Sequence, residues 1–152
     1  MTMQAKDPFL WNGERYDLIR AEEIYHLFDP KDYGLNPSCI ITCCYKGFIV
    51  GFSVKENCLL LDFIEVHCDE GGYPPINGVE AQYKDGELFH RYENIALMLD
   101  YSGVIVIGRD LGDRYKTRAY IGPHSYNVVY ELYFENGVLK EAEETSGSYT
   151  GF

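Results

Sequence analysis

Apolar and polar positions alternate along this chain in short runs, and most runs stop at a pair of residues that tolerate positive φ. Asn12-Gly13 splits "FLWNGERYDL", Glu56-Asn57 splits "FSVKENCLLL", Asp85-Gly86 splits "QYKDGELF" and Asn136-Gly137 splits "YFENGVLKE", with Lys46-Gly47 and Asn77-Gly78 in similar settings. Spacing two marks a half-buried strand, and such pairs fit the central positions of tight hairpin turns. The pattern predicts a mainly β protein, α+β at most: an antiparallel meander forming a sandwich or a partly closed barrel. Strands are expected near 39–45, 48–55, 58–68, 79–84, 87–95, 103–110, 117–122, 127–135 and 138–144, with two more flanking Asn12-Gly13.

One segment breaks the two-residue period. In "RAEEIYHLF", Ala21, Ile24, Leu27 and Phe28 recur at helical spacing, with Glu22, Glu23 and His26 opposite. This predicts one short N-terminal helix, its two glutamates in the first turn and its end at Asp29-Pro30. "DPKDYGLNP" then reads as a helical turn or a loop. The final residues, "ETSGSYTGF", lose apolar periodicity. Residues 1–145 are therefore expected to form a single β-rich domain and 146–152 a flexible tail.

The run from Cys58 to Cys68 reads as a central strand. Strict alternation puts Leu59, Leu61, Phe63, Glu65 and His67 on one side, and Cys58, Leu60, Asp62, Ile64, Val66 and Cys68 on the other. Both sides are apolar, and the polar residues gather toward the C-terminal end. The following window, "GGYPPINGVEAQYKDGEL", is stiffened by Pro74-Pro75 and turned by Asn77-Gly78 and Asp85-Gly86. A rigid loop beside a polar strand end is suited to wall a ligand cleft.

Composition narrows the partners. The chain has 152 residues, 24 acidic against 13 basic side chains and a net charge of −11, with 14 tyrosines and 8 phenylalanines. No Lys/Arg cluster suits a phosphate backbone, so neither nucleic acid nor an anionic membrane surface is an expected partner. A basic protein or a neutral small ligand fits better, and the tyrosines suit binding faces. The five cysteines, Cys39, Cys43, Cys44, Cys58 and Cys68, form no zinc-type spacing. Their odd number, and a start "MTMQAKDPF" without an apolar run, point to reduced thiols in the cytoplasm.

Candidate chemistry concentrates in "EVHCDE". Glu65 and His67 project from one strand face as a base with an orienting partner, or as two metal ligands with Asp69. A complete metal site needs a further ligand from His90 or His124. Cys68 faces away from its neighbour His67 and cannot pair with it directly. "GRDLGDRY" offers a second, binding-type candidate, in which Arg109 and Arg114 hold an anion. Tyr73, in the proline-stiffened loop, is a third binding candidate. No nucleophile elbow, Walker loop or dinucleotide fingerprint is present. Neither a cofactor nor a metal is expected. The leading expectation is a non-enzymatic, cytoplasmic interaction protein with an acidic surface, such as an inhibitor or immunity-type protein for a basic partner. The alternatives are a β-barrel that binds a small ligand, and a small hydrolase or metal-assisted enzyme using Glu65, His67 and Asp69.

Overall fold

The computed structural model describes residues 4–112 and 122–146. Nine strands form one mixed sheet: β1 (Pro8–Trp11), β2 (Glu14–Ala21), β3 (Phe48–Lys55), β4 (Cys58–Val66), β5 (His90–Tyr92), β6 (Leu97–Met98), β7 (Gly103–Leu111), β8 (Tyr126–Glu135) and β9 (Val138–Glu144). They follow the order β3-β1-β2-β7-β8-β9-β4, and β4 pairs again with β3, so the sheet closes into a partial ring. β5 and β6 add to the free stretch of β4. All pairings are antiparallel except β1 with β3. The mainly β, partly closed architecture matches the turn pattern.

The hairpins form where positive φ was expected. Both central residues lie in the left-handed region at Asn12-Gly13, Glu56-Asn57 and Asn136-Gly137. That geometry twists a two-residue turn to suit its strands. The ring closes where two of these tips meet. Cys58 pairs with Val138, Leu59 N donates to Gly137 O and Leu139 N donates to Asn57 O. Gly137 N also donates to Tyr101 O, and a Cβ on Gly137 would stand 2.0 Å from Leu99 O. Only glycine fits this closure, for its φ of 78° and for the approaching backbone.

Inside the ring lie Phe9, Phe52, Leu59, Leu61, Ile64, Val66, Tyr92, Ile105, Ile107 and Leu132, all essentially inaccessible. A smaller cluster, Val106, Tyr126 and Val129, lies apart from this core. Strict alternation fails in β4. Gly51 pairs with Phe63 and Phe52 with Leu61, so Asp62 is an extra residue. This bulge turns the strand over by one position. Leu59 and Leu61 are buried before it, and Ile64, Val66 and Cys68 after it. Phe63, Glu65 and His67 therefore do not share a face with Leu59 and Leu61. The apparent two-sided apolarity of the sequence is the signature of the bulge.

Other expectations change for local reasons. The helix shrinks to one turn, α1 (Ile24–Leu27). Ala21 stays paired with Ile105, Glu22 N donates to Val104 O, and Glu23 takes a left-handed φ of 46°. Both glutamates thus precede the helix instead of filling its first turn. "PKDY" forms the expected helical turn, a 3-10 turn capped by the Asp29 carboxylate. Residues 39–45 form no strand. Cys44 N returns to Ile41 O and Gly47 N to Cys44 O, leaving Ile40 and Tyr45 exposed. The 79–84 strand reduces to isolated bridges, Ile76 with Val79 and Gln82 with Arg91. The 87–95 strand reduces to β5, followed by left-handed Asn94 and Ala96. The strand expected at 117–122 falls on residues outside the description except for Gly122, and the tail likewise except for Ser146.

Ring closure through Gly137 makes a comparison of two turn glycines informative. Gly13 has a similar φ of 75° but no neighbour within 4 Å of an added Cβ. Gly13→Ala is expected to cost about 1 kcal/mol, for backbone strain alone. Gly137→Ala is expected to cost roughly 3 kcal/mol or more, because the clash adds to the strain. Urea unfolding measures both; equal losses would contradict the closure.

Candidate functional site

The C-terminal end of β4 carries the residues singled out above. Glu65 and His67 both project outward, as two-residue spacing requires, yet they do not work on one another. Glu65 lies opposite Arg91 in the β4–β5 ladder, and Arg91 Nη2 reaches Glu65 Oε1 at 3.3 Å. Arg91 also pairs with Glu93 at 3.6 Å. Glu65 belongs to a cross-strand ion network, beside an open cleft it shares with Lys6, Arg15, Asp17 and Asp62. His67 instead meets Asp69, Nε2 to Oδ1 at 2.8 Å, with Asp69 largely in solvent. The backbone of His67 is held on both sides: its N–H donates to Gly47 O and its carbonyl accepts from Ser38 N. Among the described residues no group of three His, Cys, Asp or Glu side chains converges to hold a metal ion.

The proline-stiffened loop folds back over this strand end. Tyr92 donates to Pro74 O at 2.7 Å from a buried position that pushes its phenol up to about 12. Asn77 Nδ2 donates to Ile95 O, and the Gln82–Arg91 bridge ties down the far arm. These anchors place Tyr73 and Tyr83 on either side of His90. The ring centroids are 3.7 Å from His90 to Tyr73 and 4.6 Å to Tyr83, at shallow angles. The Tyr73 hydroxyl accepts from Cys68 N at 2.9 Å. Burial, then the neighbouring His67, lowers the pKa of His90. Burial raises the Cys68 thiol, which makes it a poor nucleophile at neutral pH. His90 Nδ1 is buried with no hydrogen-bond partner. The loop builds a stack of rings that fixes the histidine.

The remaining candidates fall elsewhere. His124 sits in the 3-10 turn Pro123–Ser125 that leads into β8 and packs on β7 and β8. Arg109 lies on β7 beside Trp11, Tyr16 and Tyr130, whose rings meet edge-on or tilted at 4.8–6.1 Å. Its Nε is 2.8 Å from Glu14 Oε2; the separation makes an ion pair, although the N–H is not aimed well enough for a hydrogen bond. Arg109 is thus already matched by a carboxylate. Arg114 lies outside the described residues.

Two features escaped sequence reasoning. One is an open groove of about 650 Å³, floored by Leu18, Phe28, Phe48, Val50 and Phe52 and rimmed by Ile24 and Tyr25. Tyr25 is 71% exposed. The Asp7–Lys46 ion pair closes one side, with Lys46 also over the Phe48 ring. These residues come from separate segments, so no local motif announces them.

The other is an acidic lattice on the outer sheet face. Cross-strand pairing aligns Arg20, Val106, Glu131 and Glu143 in one row. Beside it runs a second row, in which Glu22 bonds to Val104, and Val104, Tyr133 and Glu141 align. Glu131 and Glu143 stand directly opposite one another, and among the described residues no ion pair joins Glu131, Glu141, Glu143 or Glu144 to a base. The signal was present in "VLKEAEE", where polar residues fill consecutive positions of a strand instead of alternate ones.

Comparison with known protein families, with curated proteins and with solved structures finds no match to this chain. Its function is therefore argued from geometry alone. Among the described residues no helix is long and apolar enough to cross a membrane.

The ring stack predicts a pH response. The fold disfavours the protonated imidazole of His90, so stability falls as pH drops through the ordinary value of 6.5, and the loss is complete below the depressed folded value. An NMR titration is expected to place His90 below 6.5. Tyr83→Ala, which uncovers one ring face, should move it upward, and His67→Gln should move it upward by less. A value at or above 6.5 in the native protein would contradict the stack.

Proposed function

We propose that this is a non-enzymatic binding protein that takes a basic protein partner on its acidic outer face, in the manner of an inhibitor or immunity protein that neutralises a basic target. The observation that carries the proposal is the direct Glu131–Glu143 pair on β8 and β9. Like charges facing across a ladder destabilise a sheet by about 0.2–1 kcal/mol. A basic partner relieves that cost, and solubility alone does not need the charges placed opposite one another. Glu22 and Glu141 extend the patch around the partly exposed Val104, with Val106 buried beneath it. The net charge of −11 steers such a partner from a distance. Five unpaired thiols, two of them buried, support a reducing cytoplasm as its setting.

The groove beneath Tyr25 favours a second reading, a protein that holds a small neutral ligand. Its phenylalanine floor suits an apolar ring or chain. The hydrolase reading has less support, because Glu65 and His67 are each committed to a different partner.

Glu143→Gln separates the role of the face from that of the fold. It is expected to stabilise the protein by a few tenths of a kcal/mol. It should also slow association with a basic partner, by about threefold at low salt, with the difference shrinking as salt screens the face. Chemical denaturation and stopped-flow association read the two effects. A variant that is destabilised, or that associates at the native rate at low salt, would sink the proposal.

A further inference from the structure

β9 is an edge for most of its length. It pairs with β8 from Val138 to Glu144, but it meets β4 only at Cys58–Val138 and through Leu139 N to Asn57 O. From that point β4 and β9 run away from one another, because antiparallel strands that touch at the start of each overlap nowhere else. Residues 140–144 are exposed, and among the described residues no strand lies along their free side. Alternate residues of an antiparallel strand turn their N–H and C=O away from the paired neighbour. Among the described residues, the free side of β9 therefore presents unpaired donors and acceptors over about five residues, roughly 17 Å.

We infer that this edge binds an extended basic segment of the partner by strand addition. The inference rests on the basic-partner reading above and names the surface and the mode. Charge selects the occupant. A second copy of this chain, added edge to edge, would bring Glu141, Glu143 and Glu144 against the same carboxylates. A strand with lysine or arginine at alternate positions instead sets its cations beside Glu141 and Glu143 on the outer face. Its intervening side chains then point to the inner face, where Ala142 lies and where Tyr130, opposite Glu144, meets Trp11 edge-on. An alternating basic–apolar segment matches both faces. The backbone supplies affinity and the glutamates supply register.

The test uses the whole protein and two peptides: an acetylated, amidated eight-residue alternation of lysine and valine, and the same peptide N-methylated at every residue. The second keeps the charge and cannot donate backbone hydrogen bonds. With the first peptide, outward amides within 140–144 are expected to exchange at least about tenfold more slowly than in the free protein. The methylated peptide is expected to bind at least about tenfold more weakly, and the double variant Glu141→Lys, Glu143→Lys to lose the first peptide. Equal, salt-sensitive binding of both peptides would overturn strand addition and leave the basic-partner reading standing. Amides already protected in the free protein would overturn it too, because the edge would then be covered. Failure of both peptides to bind at low salt would overturn the inference and the basic-partner reading together.

Discussion

Asp62 has no partner in β3, and the outward facing of Glu65 and His67 follows from it. Were alternation to run unbroken through Asp62, Glu65 and His67 would point into the ring with Leu59 and Leu61, and Ile64 and Val66 would turn out. Burying an apolar side chain of that size is worth about 1.5–3 kcal/mol, and burying an uncompensated charge costs more. The bulge avoids both penalties. Its carbonyl accepts from Ile95 N, which anchors the segment after β5, while Phe63 lies flat over Gly51 in a space that a Cβ there would fill. The strand end consequently carries an ion network at Glu65 and a largely covered His67 held to the solvent-facing Asp69.

Ring closure has the opposite effect on β9. The hairpin tips at Glu56-Asn57 and Asn136-Gly137 meet through a few backbone bonds, with Gly137 pressed against Leu99 O. A closure made at the tips holds the ring but does not cover the strand beyond it. The acidic rows on β8 and β9 and the open edge therefore lie side by side, and the same geometry that completes the core leaves the proposed binding surface exposed.

The hairpins were legible because their signal is local: Asn12-Gly13, Glu56-Asn57 and Asn136-Gly137 adopt positive φ wherever they occur in the fold. Spacing groups Asp69 with Glu65 and His67 as a metal ligand, whereas in the fold it meets His67 and Glu65 turns to Arg91. The bulge was hidden because its gain is distant, in the burial of Ile64 and Val66. The helix read from spacing over 21–28 forms only at Ile24–Leu27, its start cut back by the pairing of Ala21 with Ile105. The apolar run at 39–45 misled because cysteine, isoleucine and tyrosine there lie in turns, with Ile40 and Tyr45 in solvent. The groove under Tyr25 and the partner of Glu65 depend on segments far apart in the chain, and no local pattern carries them.

The proposed partner-binding surface is the set of carboxylates on β8 and β9, and not the polar end of β4. Zero-length carbodiimide coupling joins a carboxylate to a lysine that already touches it, so applying it in an extract of the source cell and mapping the linked residues tests the claim directly. Links from Glu131, Glu141 and Glu143 to lysines of one basic protein are expected. Links confined to Glu65 and Asp69, or to the Asp29 side of the groove, would contradict it.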